Sequence, residues 1–181
     1  SRCRLKKGEK VLITGIGGGV ALMALQFALA AGAEVTVTSG SDEKLEKART
    51  IGAHHTANYR DEDWDKRLKK SVGAFDVIID SAAGDAFSLL VGLASPGARI
   101  GIYGGTLGKV GGLSLQPVFW KQISILGSTM GSPQEFGKML KFVGQHRIIT
   151  IVDSVFDLKD GNAGLERMDK GEQFGKIVFR V

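Results

Sequence analysis

The 181-residue chain has one cysteine, Cys3, so it can form no internal disulfide. Such sparing use fits a reducing compartment, and a cytoplasmic location is expected. No apolar run approaches the ~18 residues that a membrane span needs, so no membrane association is expected. The start, Ser1-Arg2-Cys3-Arg4, has no methionine and no apolar signal region behind it, and Ser1 is expected to mark a cut. Charge of one sign is also missing. The 24 basic and 19 acidic residues leave a net +5. The basic clusters at Lys44, Lys47 and Arg49, and at Lys66, Arg67, Lys69 and Lys70, are mixed with acids at helical spacing. They read as solvated helix faces, and no nucleic-acid partner is expected. Proline is scarce, with three residues against 26 glycines.

Those glycines punctuate apolar runs instead of forming a linker. Lys10 to Thr14 (KVLIT) reads as a strand buried on both faces, and Gly19 to Ala31 as a helix whose stripe of Ala21, Ala24, Ala28 and Ala31 lets it sit close to a sheet. Glu34 to Thr38 is a second strand. Ser41-Asp42-Glu43 opens a helix running to Ile51, with Ser41 at the cap and two acids at the positive end of the dipole. A short strand is expected over His54 to Tyr59, a polar helix over Glu62 to Lys70, and a buried strand over Phe75 to Asp80. A helix over Asp85 to Ala94, a Pro96-Gly97 turn and a strand over Arg99 to Tyr103 follow. The order closes with a glycine-rich loop over Gly104 to Gly112, a strand over Gln122 to Ser128 and a helix over Pro133 to His146. Alternating strands and helices imply an α/β Rossmann fold, a doubly wound parallel six-stranded sheet in the order 3-2-1-4-5-6. The expected domain spans residues 8–147. A C-terminal segment, 148–181, carries two further apolar stretches.

The segment Thr14-Gly15-Ile16-Gly17-Gly18-Gly19-Val20-Ala21 joins a strand to a helix. Backbone N–H groups at a helix start bind phosphate without a charged side chain, and glycine lets a pyrophosphate approach the backbone. A small residue one turn in, Ala21, lets the helix pack on the strand. The fingerprint G-x-G-x-x-G/A is met from position 16 only with Ile16 at its first glycine site. At the end of the second strand, NAD-binding proteins place an acid on the ribose 2′-hydroxyl. Here the stretch is Thr38-Ser39-Gly40-Ser41, followed by Lys44. Hydroxyls, glycine and a cation suit a 2′-phosphate, so NADP is expected over NAD. Where nothing binds, the serines would be ordinary caps and Lys44 part of a solvated face.

The run from Gly8-Glu9-Lys10 through VLITG, GGGVA, Gln26-Phe27-Ala28, Gly32-Ala33, Ser41, Glu43-Lys44 and Ile51-Gly52-Ala53 resembles the medium-chain dehydrogenase/reductase superfamily. The resemblance is strongest to zinc-binding-dehydrogenase-like and quinone-oxidoreductase-like members. Asn58-Tyr59, Phe75-Asp76-Val77, Pro96-Gly97-Ala98-Arg99, Gly127-Ser128 and Gly175-Lys176-Ile177-Val178 extend it over nearly the whole chain. The resemblance implies hydride transfer to or from a carbonyl, enone or quinone substrate. It implies that Gly18, Gly19, Val20 and Ala21 face the pyrophosphate. Ser39, Gly40, Ser41, Lys44 and Tyr59 would surround the adenosine ribose and its phosphate. Ser81, Ala82, Tyr103, Gly104, Ser128 and Thr129 would line the path to the nicotinamide. It also implies a homodimer through the sheet edge at Leu113 to Ile125.

Family members carry an N-terminal GroES-like domain that supplies most of the substrate site and to which their closing strands return. That domain is expected to lie outside this chain. Zinc ligands in the family come mostly from it, and Cys3, His54, His55 and His146 lack metal-ligand spacing, so no metal is expected here. No residue is assigned as a general acid or base, and Asp80 and Asp85 read as a strand end and a helix cap. The alternatives are a zinc-dependent alcohol dehydrogenase and a non-catalytic nucleotide-binding or regulatory module. A short-chain dehydrogenase would need Tyr-x-x-x-Lys, which neither Tyr59 nor Tyr103 provides. A methyltransferase would want an acid where Ser39 stands.

Overall fold

The computed structural model describes residues 2–181, so the cut expected at Ser1 lies outside the described residues. Six parallel strands form one sheet: β1 (Lys10–Ile13), β2 (Glu34–Ser39), β3 (His55–Asn58), β4 (Phe75–Asp80), β5 (Ala94–Ile102) and β6 (Ser124–Gly127). Their order is β3-β2-β1-β4-β5-β6, as the alternation implied. The strand order reverses beside β1, and it is there, beyond the C-terminal strand ends, that this topology places a ligand crevice.

The helices cover both faces. Helix α1 (Gly19–Ala30) and α2 (Asp42–Ile51) enclose a core of Val11, Ile13, Leu22, Leu25, Val35 and Val37. Helix α3 (Trp64–Ser71) and α4 (Phe87–Leu93) enclose a second core of Leu12, Phe75, Ile78, Leu90 and Ile100. The buried face of α1 consists of Ala21, Leu22, Leu25 and Ala28. The alanine stripe therefore sets the approach of α1 only in part, and the two leucines supply most of the buried area, about 2 kcal/mol each.

Local conformation moved three boundaries. Asp63 adopts a left-handed backbone (φ 52°), so α3 starts at Trp64 and not at Glu62. Ala83 and Gly84 are also left-handed, which delays α4 to Phe87; its N-cap is Ala86, and Asp85 does not cap it. The Pro96-Gly97 turn lies inside β5 as a bulge. Phe75 pairs with Ala94 and Val77 with Arg99, so two steps along β4 match five along β5. Pro96 has no N–H to lose there, and the Gly97 N–H donates to the Lys121 carbonyl at 2.6 Å.

A short helix, α5 (Gln116–Trp120), precedes β6, and α6 (Pro133–His146) follows it behind a capping box of Ser132 and Glu135. The C-terminal segment forms β7 (Val152–Asp157), a 3-10 turn, α7 (Gly161–Asp169) and β8 (Lys176–Arg180). Strands β7 and β8 pair in parallel as a separate two-stranded sheet. Phe174 and Ile151 pack into the core beside α1, so this segment lies against the glycine loop. No helix among the described residues is long and apolar enough to cross a membrane.

Candidate cofactor site

The loop between β1 and α1 explains why Ile16 stands where the fingerprint has glycine. Ile16 is buried, and its N–H donates to the Thr38 carbonyl of β2 at 2.8 Å. That position runs alongside the sheet and needs no tight turn. The positive φ values fall instead on Gly15 (66°) and Gly17 (126°). Gly18 is the N-cap of α1 and no side chain caps the helix, so the first-turn amides at Gly19, Val20 and Ala21 point outward with the positive end of the dipole. Val20 is exposed here, while Ala21 turns its methyl into the core.

Two lysines frame this helix start. The Lys176 side chain, from the first residue of β8, crosses Gly19: a β-carbon there would fall 2.6 Å from Lys176 Cε and 3.1 Å from Nζ. The Lys44 side chain, from α2, crosses Gly17 at 2.9 Å by the same measure, and its ammonium donates to the Gly171 carbonyl. Burial pushes the Lys44 pKa down, with Asp153 opposing. The C-terminal segment also bonds to the loop directly, through the Gly175 N–H and the Gly17 carbonyl at 2.9 Å.

Ser39, Gly40, Ser41 and Tyr59 come together at the end of β2. The Ser39 hydroxyl accepts the Ser41 N–H at 3.2 Å, and the Ser41 hydroxyl accepts the Lys44 N–H at 3.4 Å, capping α2. Tyr59 is tied to the same strand end by its N–H and the Ser39 carbonyl at 3.1 Å. A β-carbon on Gly40 would meet Tyr59 Oη at 2.9 Å and Arg60 Nε at 2.8 Å, so Gly40 is the floor of a notch walled by a phenol and a guanidinium. The acid nearest in sequence, Asp42, has one carboxylate oxygen occupied by the Asn58 amide at 2.8 Å.

Across the crevice, Ser81, Ala82, Tyr103 and Gly104 form one surface. A β-carbon on Gly104 would meet the Ser81 carbonyl at 2.9 Å, and the Leu107 N–H donates to the Ala82 carbonyl at 2.8 Å. Burial pushes the Tyr103 phenol up, while hydrogen bonding with Ser81 pulls the other way. Ser128, whose N–H bonds the Ile102 carbonyl at 2.8 Å, and Thr129 continue beyond β6 and are exposed. Asp80 closes the turn after β4. It is 1% exposed, accepting the Thr14 hydroxyl at 2.5 Å and the Ala83 N–H at 2.8 Å.

Sequence reasoning missed Arg60 and Lys176. Arg60 adjoins a residue already singled out. Lys176 stands in the Gly175-Lys176-Ile177-Val178 motif, but nothing local shows that β8 begins at the glycine loop. The histidines have ordinary partners. His54 Nδ1 accepts the Val35 N–H at 3.0 Å, His55 lies 2.9 Å from Glu34, and His146 stacks on Phe142. Cys3 packs its sulfur against Gly101, and burial pushes its thiol up.

A sequence model described as zinc-binding dehydrogenase matches residues 19–145. The chain belongs to this family. It is 38% identical to the "Zinc-type alcohol dehydrogenase-like protein YogA" of Leptosphaeria maculans over 186 residues, covering 97% of this chain and 52% of that protein. It is 34% identical to human quinone oxidoreductase over 132 residues, covering 71% of this chain and 39% of that protein. A crystal structure of an NAD-dependent alcohol dehydrogenase superposes with a TM-score of 0.92 at 34% identity, covering 99% of this chain and 53% of that one. The resemblance to medium-chain dehydrogenases and the Rossmann architecture are thereby borne out. The chain spans about half the length of the family relatives it matches.

Proposed function

We propose that this chain is the NADP-binding half of an oxidoreductase that transfers hydride to or from a carbonyl, enone or quinone. The observation that carries this reading is the uncapped start of α1 with Lys176 laid across it. Outward amides and one ammonium are the donors a pyrophosphate needs, and they fit it without a side-chain carboxylate. The bound nicotinamide supplies the hydride chemistry. The chain's own residues bind and orient. Gly18 to Ala21 and Lys176 hold the pyrophosphate, the notch at Gly40 holds the adenosine ribose, and Ser81, Ala82, Tyr103, Gly104, Ser128 and Thr129 line the nicotinamide end. Tyr103, protonated at neutral pH, offers a donor there and not a base.

The choice of NADP over NAD rests on the Gly40 notch. Ser39, Ser41, Tyr59 and Arg60 offer donors to a 2′-phosphate, and no carboxylate ends β2. Lys44, expected here from the sequence, turns its ammonium away to Gly171 instead. Relatives named as NAD-dependent make NADH the competing cofactor. Oxidation of NADPH and NADH by the intact protein, with a series of enones, quinones and aldehydes, tests the proposal. NADPH should be preferred, and Arg60→Glu should reduce that preference. Equal use of both, unchanged in Arg60→Glu, would overturn the NADP assignment.

A GroES-like domain completing the substrate site is part of the same proposal, and the apolar residues Val152, Val155, Leu158 and Leu165 on the C-terminal unit suit packing against it. A homodimer is also proposed. β6 ends the sheet order, and Phe119 and Trp120 of α5 beside it are 62% and 72% exposed. Pairing β6 with a second copy would cover both features.

A further inference from the structure

The segment 171–176 is fixed at almost every residue, and one carboxylate does much of the fixing. Asp153 of β7 accepts Arg167 Nε at 2.6 Å and a terminal guanidinium nitrogen at 2.9 Å. It also accepts the Phe174 N–H at 2.9 Å and the Ser154 hydroxyl at 2.9 Å. Arg167 reaches on to Glu172 at 3.4 Å. The Phe174 ring is sunk in the core beside α1 and α2, and the next residue, Gly175, bonds to Gly17. The Lys176 N–H then bonds to the Ile151 carbonyl at 2.9 Å, which leaves its side chain across Gly19. From the other side, Lys44 holds Gly171.

We propose that the Asp153–Arg167 pair is a positioning device for cofactor binding: by fixing the turn at 172–174 it holds Lys176 over the first turn of α1. Neither residue touches the glycine loop itself. The pair acts through Phe174 and Gly175 on a lysine whose long side chain would otherwise be free to leave the helix start. An exposed ion pair would be a weak tether. This carboxylate is nearly buried and takes four hydrogen bonds, so its loss leaves a cation and an amide without their acceptor.

The inference rests on the dinucleotide reading of the loop, and a double-mutant cycle separates the two. Dissociation constants of NADPH and NADH are measured calorimetrically for the intact wild-type protein, Asp153→Asn, Lys176→Met and the double variant. Lys176→Met should weaken both dinucleotides about tenfold, the size of one charge-assisted hydrogen bond. Asp153→Asn should weaken both by a similar factor, and the double variant should be no weaker than Lys176→Met alone. A clamp that served stability only would lower the melting temperature and leave the dissociation constants unchanged or their effects additive. Either result overturns the inference while leaving the cofactor reading intact. Where Asp153→Asn does not fold, Arg167→Met, which keeps the carboxylate on Phe174 and Ser154, completes the same cycle. Absence of any dinucleotide binding by the wild-type protein would overturn the cofactor reading and this inference with it.

Discussion

Lys176 and Gly19 leave no room for a side chain between them: a β-carbon on Gly19 would lie 2.6 Å from Lys176 Cε. The obstructing atoms belong to the end of a flexible chain, so Gly19→Ala can fold by moving the lysine aside. Alanine also suits a helix better than glycine, by up to about 1 kcal/mol. The expected result is a melting temperature unchanged or slightly raised, with dinucleotide affinity reduced about tenfold or more. Thermal denaturation and calorimetric titration of the same sample check both halves.

Gly175 makes the opposite case. Its φ of +125° is one that side chains rarely adopt, and a β-carbon there would overlap the Ile151 carbonyl oxygen, which belongs to rigid backbone. Gly175→Ala should cost about 2–3 kcal/mol or more, the size of a strained backbone position. It should also release the Gly17 bond that ties the two parts of the chain. A lower midpoint in urea is the readout, together with faster hydrogen exchange at the Gly175 amide.

Asp80 sits at the crevice, where a carboxylate invites a catalytic assignment, yet both of its oxygens are taken by Thr14 and Ala83. Asp80→Ala should destabilise the fold by about 2–4 kcal/mol, because a hydroxyl and an amide lose their acceptor in a buried place. Asp80→Asn should recover part of that loss. The pH profile of turnover in Asp80→Asn should keep the wild-type shape. A lost ionisation in that profile would contradict the turn-closing role.

The Arg167 guanidinium, with the Phe174 N–H and the Ser154 hydroxyl, holds the Asp153 carboxyl well below the usual carboxylate range. The folded state therefore binds this proton less readily than the unfolded chain. The stability it confers is fully present above the unfolded value, ~3.9, and is lost as pH falls below it toward the folded one. Melting temperatures should fall steeply below about pH 4 in the wild type, and less steeply in Asp153→Asn. Equal slopes in the two proteins would contradict the pairing.

The proposed dimer makes its own demand on α5 and β6. Trp120→Glu together with Ile125→Glu puts two charges on that edge and should yield monomers in sedimentation experiments, with the far-ultraviolet spectrum unchanged. A wild type that is monomeric at every concentration would contradict the proposal.

The sheet order was legible because each strand is a short run such as Val11-Leu12-Ile13 closed by glycine or a polar cap, and those local signals add up to one topology. The boundaries at Asp63, Ala83 and Pro96 were not. Each depends on a left-handed residue or a bulge that only the neighbouring strand or helix imposes. In the site, the glycine loop and the Ser39 to Ser41 turn are local and could be read. Lys176 could not, because it lies 157 positions from Gly19 and reaches it through the packing of Phe174 and the Asp153–Arg167 pair. Lys44 was read as belonging to the phosphate pocket, and the structure places its side chain over Gly17, toward Gly171, while Arg60 stands at the notch.

The most direct test of the central claim is calorimetric titration of the intact wild-type protein with NADPH and with NADH. One dinucleotide per chain should bind, NADPH the tighter, and ADP-ribose should compete because it carries the same pyrophosphate. Heat of dilution alone with both dinucleotides would contradict the claim that this glycine loop is a cofactor site.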